Sequence, residues 1–213
     1  MTNFGFTRLR VVKPYDVAFR EARSAVGASA VLASAKECDT VAEAVRDCTL
    51  VIGTTAARDR ELKHELHGLS EAARRIHEHL RFGTVALLFG SEKRGLSNQD
   101  LSHCHWLLRI PSTEAHPSMN LAQAVAVTLY ELARDKPVQE PSPSPAQASM
   151  ETLERLTGAL VDSLVLCGYA GAEMDVAATE KVRRLVRRLD LSAEDADTLL
   201  GIMRQILWKL KRK

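Results

Sequence analysis

Leu87-Leu88-Phe89-Gly90-Ser91-Glu92-Lys93-Arg94-Gly95-Leu96-Ser97-Asn98 is an apolar run that stops on a glycine and turns into a polar loop carrying a second glycine. Glycine at such a point lets a backbone come close to a ligand or another strand, because no Cβ stands in the way. Further on, Ile110-Pro111 closes a second apolar run, and Ser118-Met119-Asn120-Leu121-Ala122 opens an amphipathic helix. In that order, two strand ends supply small residues, Glu92 supplies a carboxylate and Asn120 an amide at a helix start. The arrangement reads as a small-molecule pocket.

Working outward, strand-like runs at 9–12, 50–54, 85–89 and 106–110 alternate with helical patterns near 16–26, 40–48, 69–80 and 121–135. That alternation predicts an α/β fold with a mostly parallel sheet covered on both faces. Ligands of such sheets sit at the carboxyl ends of the strands. Leu50-Val51-Ile52-Gly53 runs into the small residues Thr54-Thr55-Ala56, 85–89 runs into Gly90, and 106–110 runs into Pro111. Three strand ends are therefore expected on one rim. A glycine after a strand is also ordinary turn chemistry, so it is the joint placement that favours a pocket.

The segment 136–146 holds four of the seven prolines and can form neither a helix nor a central strand. It divides the chain into an α/β domain at 1–135, a Pro/Ser-rich linker at 136–148 and a small all-helical domain at 149–213. In the last, helices are predicted at 150–167, 179–189 and 193–211, with Ser192 as an N-cap and Gly168 and Gly171 as breakers.

With 213 residues, 46% of them hydrophobic, the chain can bury a substantial core. The net charge of +2 makes no global demand for nucleic acid, so any basic surface must be local. Cys38, Cys48, Cys104 and Cys167 are widely spaced, as in reduced cytosolic thiols. The start has no basic segment followed by an apolar run, and no stretch approaches a membrane span. A soluble cytoplasmic protein without a membrane partner is expected. His103-Cys104-His105 and the pairs His64, His67 and His77, His79 lack an accompanying Cys-x-x-Cys, so no metal is expected and the histidines between Lys63 and Leu80 read as solvated. A nicotinamide oxidoreductase, the natural competitor, lacks its Gly-x-Gly-x-x-Gly turn after the first strand.

Gly53-Thr54-Thr55-Ala56-Ala57-Arg58, then 88–98, then Ile110-Pro111 with Pro117-Ser118-Met119-Asn120-Leu121-Ala122-Gln123 and Tyr130-Glu131 resemble the later motifs of the SPOUT methyltransferases. Within these the chain most resembles the TrmH-like branch, and in it the TrmJ-type tRNA ribose 2'-O-methyltransferases. The match spans 4–134, and the helical tail also looks like the TrmJ type's C-terminal extension. The resemblance implies a deep trefoil knot, a known exception to the avoidance of knots, with S-adenosylmethionine seated in it. It implies cofactor contacts from Thr54, Thr55, Ala56, Gly90, Gly95, Leu96, Ile110, Ser118, Met119 and Leu121. It also implies a homodimer formed through the helix near 121–132.

For the reaction, the sulfonium methyl is already activated and no metal is required; the protein must orient a ribose 2'-hydroxyl and help remove its proton. By resemblance, Glu92, Ser118 and Asn120 are the catalytic candidates. Taken as plain residues, Glu92 reads equally as a helix-start carboxylate and Asn120 as an N-cap. These enzymes normally open with a first motif, Asn-x-Gly-x-x-x-Arg, whose arginine activates the hydroxyl. Here Met1-Thr2-Asn3-Phe4-Gly5-Phe6 resembles the segment after that motif, so the first strand and helix are expected to be missing. Met119 stands where the family has Leu, and His116 where the TrmJ type has an aromatic residue.

In the tail, Arg183 with Arg187 and Arg184 with Arg188 are spaced i to i+4 and are read as a stripe for RNA phosphates, reinforced by Arg204, Lys209, Lys211, Arg212 and Lys213 around Trp208. The plain alternative is a solvated helix face. The sequence thus points to an S-adenosylmethionine-dependent 2'-O-methyltransferase acting on tRNA in the anticodon-loop region, with ribosomal RNA as a second candidate. Its competitor is a catalytically impaired module that retains cofactor and RNA binding.

Overall fold

The computed structural model describes residues 1–14, 29–56, 63–134, 146–170 and 174–212. The helix expected at 16–26, Gly171 and most of the linker lie outside these residues, as do Ala57 and Arg58.

The described elements in chain order are β1 (Arg10–Val12), α1 (Ser29–Ala33), β2 (Lys36–Cys38), α2 (Val41–Val45), β3 (Leu50–Thr54), β4 (Leu66–Gly68), α3 (Leu69–His79), β5 (Val85–Leu88), α4 (Asn98–Leu101), β6 (Trp106–Arg109), α5 (Leu121–Arg134), α6 (Met150–Leu166), α7 (Val176–Arg188) and α8 (Ala193–Leu210). The main sheet has the order β4-β6-β3-β5, with every pairing parallel; β1 and β2 form a separate parallel pair. The expected mixed α/β class with a parallel sheet is what the chain adopts.

Period-two alternation assigns the sheet's two faces. Leu50, Ile52, Trp106 and Leu108 point to one side, where they meet Leu69, Ala72, Ala73 and Ile76 of α3 and Leu129 and Leu132 of α5. The four α3 residues follow the i, i+3, i+4, i+7 spacing of a single helical stripe. Val51 and Leu107 point to the other side, against Ala44 and Val45 of α2. That second cluster continues without a break into the tail, through Met150, Leu153 and Leu156 of α6, Val186 of α7 and Ala196 of α8.

Each tail helix opens on a side-chain cap. Ser149, Asp175 and Ser192 accept from the backbone N–H groups of Thr152, Ala178 and Asp195. Asp175 starts α7 three residues before the predicted boundary. The first N–H groups of α6 find partners at another helix end: Met150 donates to the Cys48 carbonyl at 2.9 Å and Glu151 to that of Arg46 at 3.1 Å. The orphan donors of one helix are thereby satisfied by carbonyls at and just past the end of another. Among the described residues no helix is long and apolar enough to cross a membrane.

Candidate active site

The register brings the three strand ends level. Gly53 pairs with Leu88 on one side and Leu107 on the other, and Thr54 pairs with Leu108. Two residues expected to face a ligand also stitch this edge together: Thr54 Oγ1 donates to the Leu88 carbonyl at 2.9 Å, and the Thr55 N–H to that of Leu108 at 3.0 Å. Ala56 follows, exposed.

After β5 the chain reverses tightly. A Cβ on Gly90 would stand 2.0 Å from the Gly95 carbonyl carbon and 2.2 Å from the Leu96 nitrogen, so backbone lies against backbone there. The Gly95 N–H donates to the Ser91 carbonyl at 2.8 Å, and Gly95 has a φ of 65°, a conformation glycine adopts without strain. Leu96 is buried and anchors the return, and Ser97 with Asp100 forms the capping box that starts α4. This holds Glu92, Lys93 and Arg94 out on the exposed tip.

Asn120 reaches that tip from the next loop. Its Nδ2 donates to Glu92 Oε1 at 2.9 Å, while its Oδ1 accepts from the N–H groups of Ala122 at 2.9 Å and Gln123 at 3.4 Å. Capping α5 and tethering Glu92 are therefore done by one side chain. Ser112 Oγ closes the preceding loop by donating to the Pro117 carbonyl at 3.0 Å. Ser118 and Met119 are exposed beside Asn120, with Ile110 and Leu121 half-buried. The structure thus gathers Thr54, Thr55, Gly90, Gly95, Leu96, Glu92, Ile110 and 118–121 around one edge of the sheet.

The tail arginines behave differently from their sequence reading. Arg183 and Arg187 do share a side of α7, but that side faces inward, where both bind Glu154 of α6. Arg183 reaches it through Nε at 3.1 Å and Nη2 at 2.9 Å, and Arg187 through Nη2 at 2.7 Å. Arg183 Nη1 also donates to Ser102 Oγ at 3.2 Å. Arg184 is buried and paired with Glu180, and only Arg188 of the four is exposed. The expected exposed stripe is corrected accordingly: Arg187 is only 2% exposed, and Leu185 and Leu189 face outward instead.

The histidines expected to be solvated are corrected too. His67 and His77 are buried, with His77 Nε2 at 2.9 Å from the Leu132 carbonyl and His67 between Glu65 and Glu71. His105 Nδ1 accepts from the Val51 N–H at 3.0 Å, and burial pushes its pKa down to about 3. Burial, with Arg183 nearby, likewise lowers His103 to about 4, so both rings are neutral. No spacing rule marks His105 as a sheet-edge acceptor; its partner is 54 residues away.

Residues 1–130 match the SpoU rRNA Methylase family model. The chain belongs to that family. Among curated SpoU-type relatives, the tRNA (cytidine/uridine-2'-O-)-methyltransferase TrmJ of Pectobacterium atrosepticum is 32% identical, covering 97% of this chain and 88% of its own length. The tRNA (cytidine/uridine/adenosine-2'-O-)-methyltransferase TrmJ of Pseudomonas aeruginosa is 34% identical over 95% of this chain and 84% of its own. Among solved structures, TrmJ from Z. mobilis ZM4 superposes with a TM-score of 0.84 at 32% identity, covering 97% of this chain and 89% of that one. The SpoU family match ends at the start of the last turn of α5, whereas these relatives extend through the helical tail.

Proposed function

We propose that this chain transfers the methyl group of S-adenosylmethionine to a ribose 2'-hydroxyl of tRNA. The observation that carries the reading is the joining of Glu92 to Asn120 at 2.9 Å beside three level strand ends, in a chain whose TrmJ relatives match nearly its full length. The rim suits the cofactor chemically. Gly90 lets the Gly95–Leu96 backbone close against the strand end, and Thr54, Thr55, Ala56, Ile110, Ser118, Met119 and Leu121 form a neutral, partly apolar set for an adenosyl and a methionyl group. When bound, S-adenosylmethionine supplies an electrophilic methyl on sulfur. Asn120 holds Glu92 by one carboxylate oxygen, the other accepts from the ribose hydroxyl, and Ser118 sits alongside to orient it.

The finer organisation belongs to the same proposal. Residues 85–134 close a trefoil knot around the rim, which a crystal structure traced through that segment tests. The chain is organised as a methyltransferase unit at 1–135, a linker at 136–148 and a helical extension at 149–213, and it works in the cytoplasm. It forms a homodimer through α5, whose outer side presents Ala122, Ala126, Val127 and Tyr130; light scattering tests the dimer. RNA contact in the tail falls to Arg188 with Arg204, Lys209, Lys211 and Arg212, beside Trp208, over whose ring Arg212 lies at 3.9 Å. Arg183, Arg184 and Arg187 contribute by positioning α7. The anticodon-loop region is the proposed target.

The experiment is methylation of tRNA with isotopically labelled S-adenosylmethionine followed by alkaline hydrolysis. A 2'-O-methyl group removes the nucleophile that cleaves the neighbouring phosphodiester, so label is expected in alkali-resistant dinucleotides. Label released in mononucleotides would move the methyl to a base and overturn the ribose reading. Cofactor binding without any labelled RNA would favour the impaired module.

A further inference from the structure

At the opposite end of the sheet from the rim, α2, α6 and α7 border a half-open cavity of about 290 Å³ whose lining includes Arg46, His103, Glu151, Glu154, Arg155 and Arg187. A water molecule's share of liquid is about 30 Å³, so a small oxyanion with part of its hydration shell fits. The charges around this space do not balance. Glu154 answers two guanidiniums at once, Arg183 and Arg187, and the Arg187 side chain is only 1% exposed. Its Nε and Nη1 have no hydrogen-bond partner, and neither does Nδ1 of His103.

A buried cation sharing its counter-charge is costly in a low-dielectric interior. Burial lowers the pKa of Arg187 to about 10, which still leaves it charged at neutral pH. Arg46 and Arg155, both exposed, add cations at the mouth; Glu151 is there too, and Asp100 lies behind His103. The cavity lining is therefore net positive, with its deepest charge under-compensated.

We propose that this cavity is a binding site for a phosphate oxyanion. The anion is held at the mouth by the guanidiniums of Arg46 and Arg155, which fit phosphate oxygens in a fork. It compensates Arg187 through space, so it needs no contact with that residue's two sealed N–H groups. The site lies on the junction between tail and sheet, and the proposal does not rest on the methyltransferase reading. The phosphate can come from an RNA backbone or from a free phosphorylated solute, and the two leave different signatures.

The test uses the full chain, with inorganic phosphate as probe against chloride at matched ionic strength. Phosphate at tenfold over its Kd is expected to raise Tm by about 3–5 °C. The double variant Arg46→Ala/Arg155→Ala, changed only at exposed mouth positions, loses that shift. Arg74→Ala on the far side of the sheet keeps it. Equal Tm in phosphate and chloride, or an undiminished shift in the mouth variant, overturns the site. The second arm measures tRNA binding against salt. A mouth variant that binds tRNA more weakly, with a salt slope reduced by about 1–2, identifies a backbone phosphate as the occupant. Unchanged tRNA binding together with a lost phosphate shift assigns the site to a free phosphorylated solute.

Discussion

The two ends of the parallel sheet hold charge in opposite ways. At the carboxyl ends of β3, β5 and β6, Glu92 and Asn120 stand exposed and hold each other across a 28-residue separation. At the amino ends, Glu154, Arg183 and Arg187 of the tail are drawn inward around the neutral His103. An exposed pair gains little from its own hydrogen bond and remains available to a ligand, whereas a buried cluster fixes helices in place and is expensive to disturb. Motif-like polar residues left in the open are thus better candidates for chemistry here than the more numerous charges of the tail.

The sharpest way to break this contrast is Glu154→Ala. It leaves Arg187 without its carboxylate, and unfolding free energy should fall by about 3–5 kcal/mol, read from a denaturant titration. A loss under about 1 kcal/mol would mean that the cluster is no anchor. At the other end, Asn120→Asp preserves the helix cap but sets a second carboxylate against Glu92. Turnover should drop on the order of a hundredfold through misplacement of Glu92, with Tm nearly unchanged. A fall in Tm with normal turnover would reduce Asn120 to its capping role.

Gly90→Ala comes next. Its Cβ meets the backbone of Gly95 and Leu96 at 2.0 and 2.2 Å, so the reversal must open. We expect about 1–3 kcal/mol of destabilisation and, by calorimetry, at least a tenfold weaker affinity for S-adenosylmethionine. Gly90→Ala binding with unchanged affinity would detach the tight reversal from the cofactor.

The smallest effect is at the surface. The Arg10 guanidinium hydrogen-bonds Asp47 and holds its carboxyl at about 2, below the ordinary 3.8. A depressed carboxyl stabilises the fold above the unfolded value and loses that contribution as pH falls from about 4 through 2. Because Asp47 is half exposed, Asp47→Asn should cost under about 1 kcal/mol at neutral pH and flatten only that acid limb of the Tm profile.

Most of the long elements were legible from periodicity. β3, β5 and β6 are apolar runs with clear turn residues at their ends, and α3, α5, α6 and α8 carry unbroken stripes. β2 and β4 were not legible, because Lys36-Glu37-Cys38 and Leu66-His67-Gly68 carry no apolar run, unlike the equally short β1. The rim was readable because three motifs fall at strand ends in chain order and a parallel sheet puts such ends together. The inward turn of the α7 arginines was not. Spacing of i to i+4 says which residues share a side of a helix, but which side faces in was decided by Glu154, 29 residues from Arg183 on another helix.

The end-to-end meeting of α6 with α2 has a consequence for how the protein can be divided. Since the N–H groups of Met150 and Glu151 close the carbonyls of Cys48 and Arg46, and Met150, Leu153 and Leu156 share a core with Val51 and Leu107, the tail is a wall of the sheet's second face. Severing the polypeptide by an engineered cut between 135 and 145 would yield a split protein whose halves stay associated and can reassemble. Expressing the first 134 residues alone would present that apolar face to water, and the fragment should be less stable than the full chain.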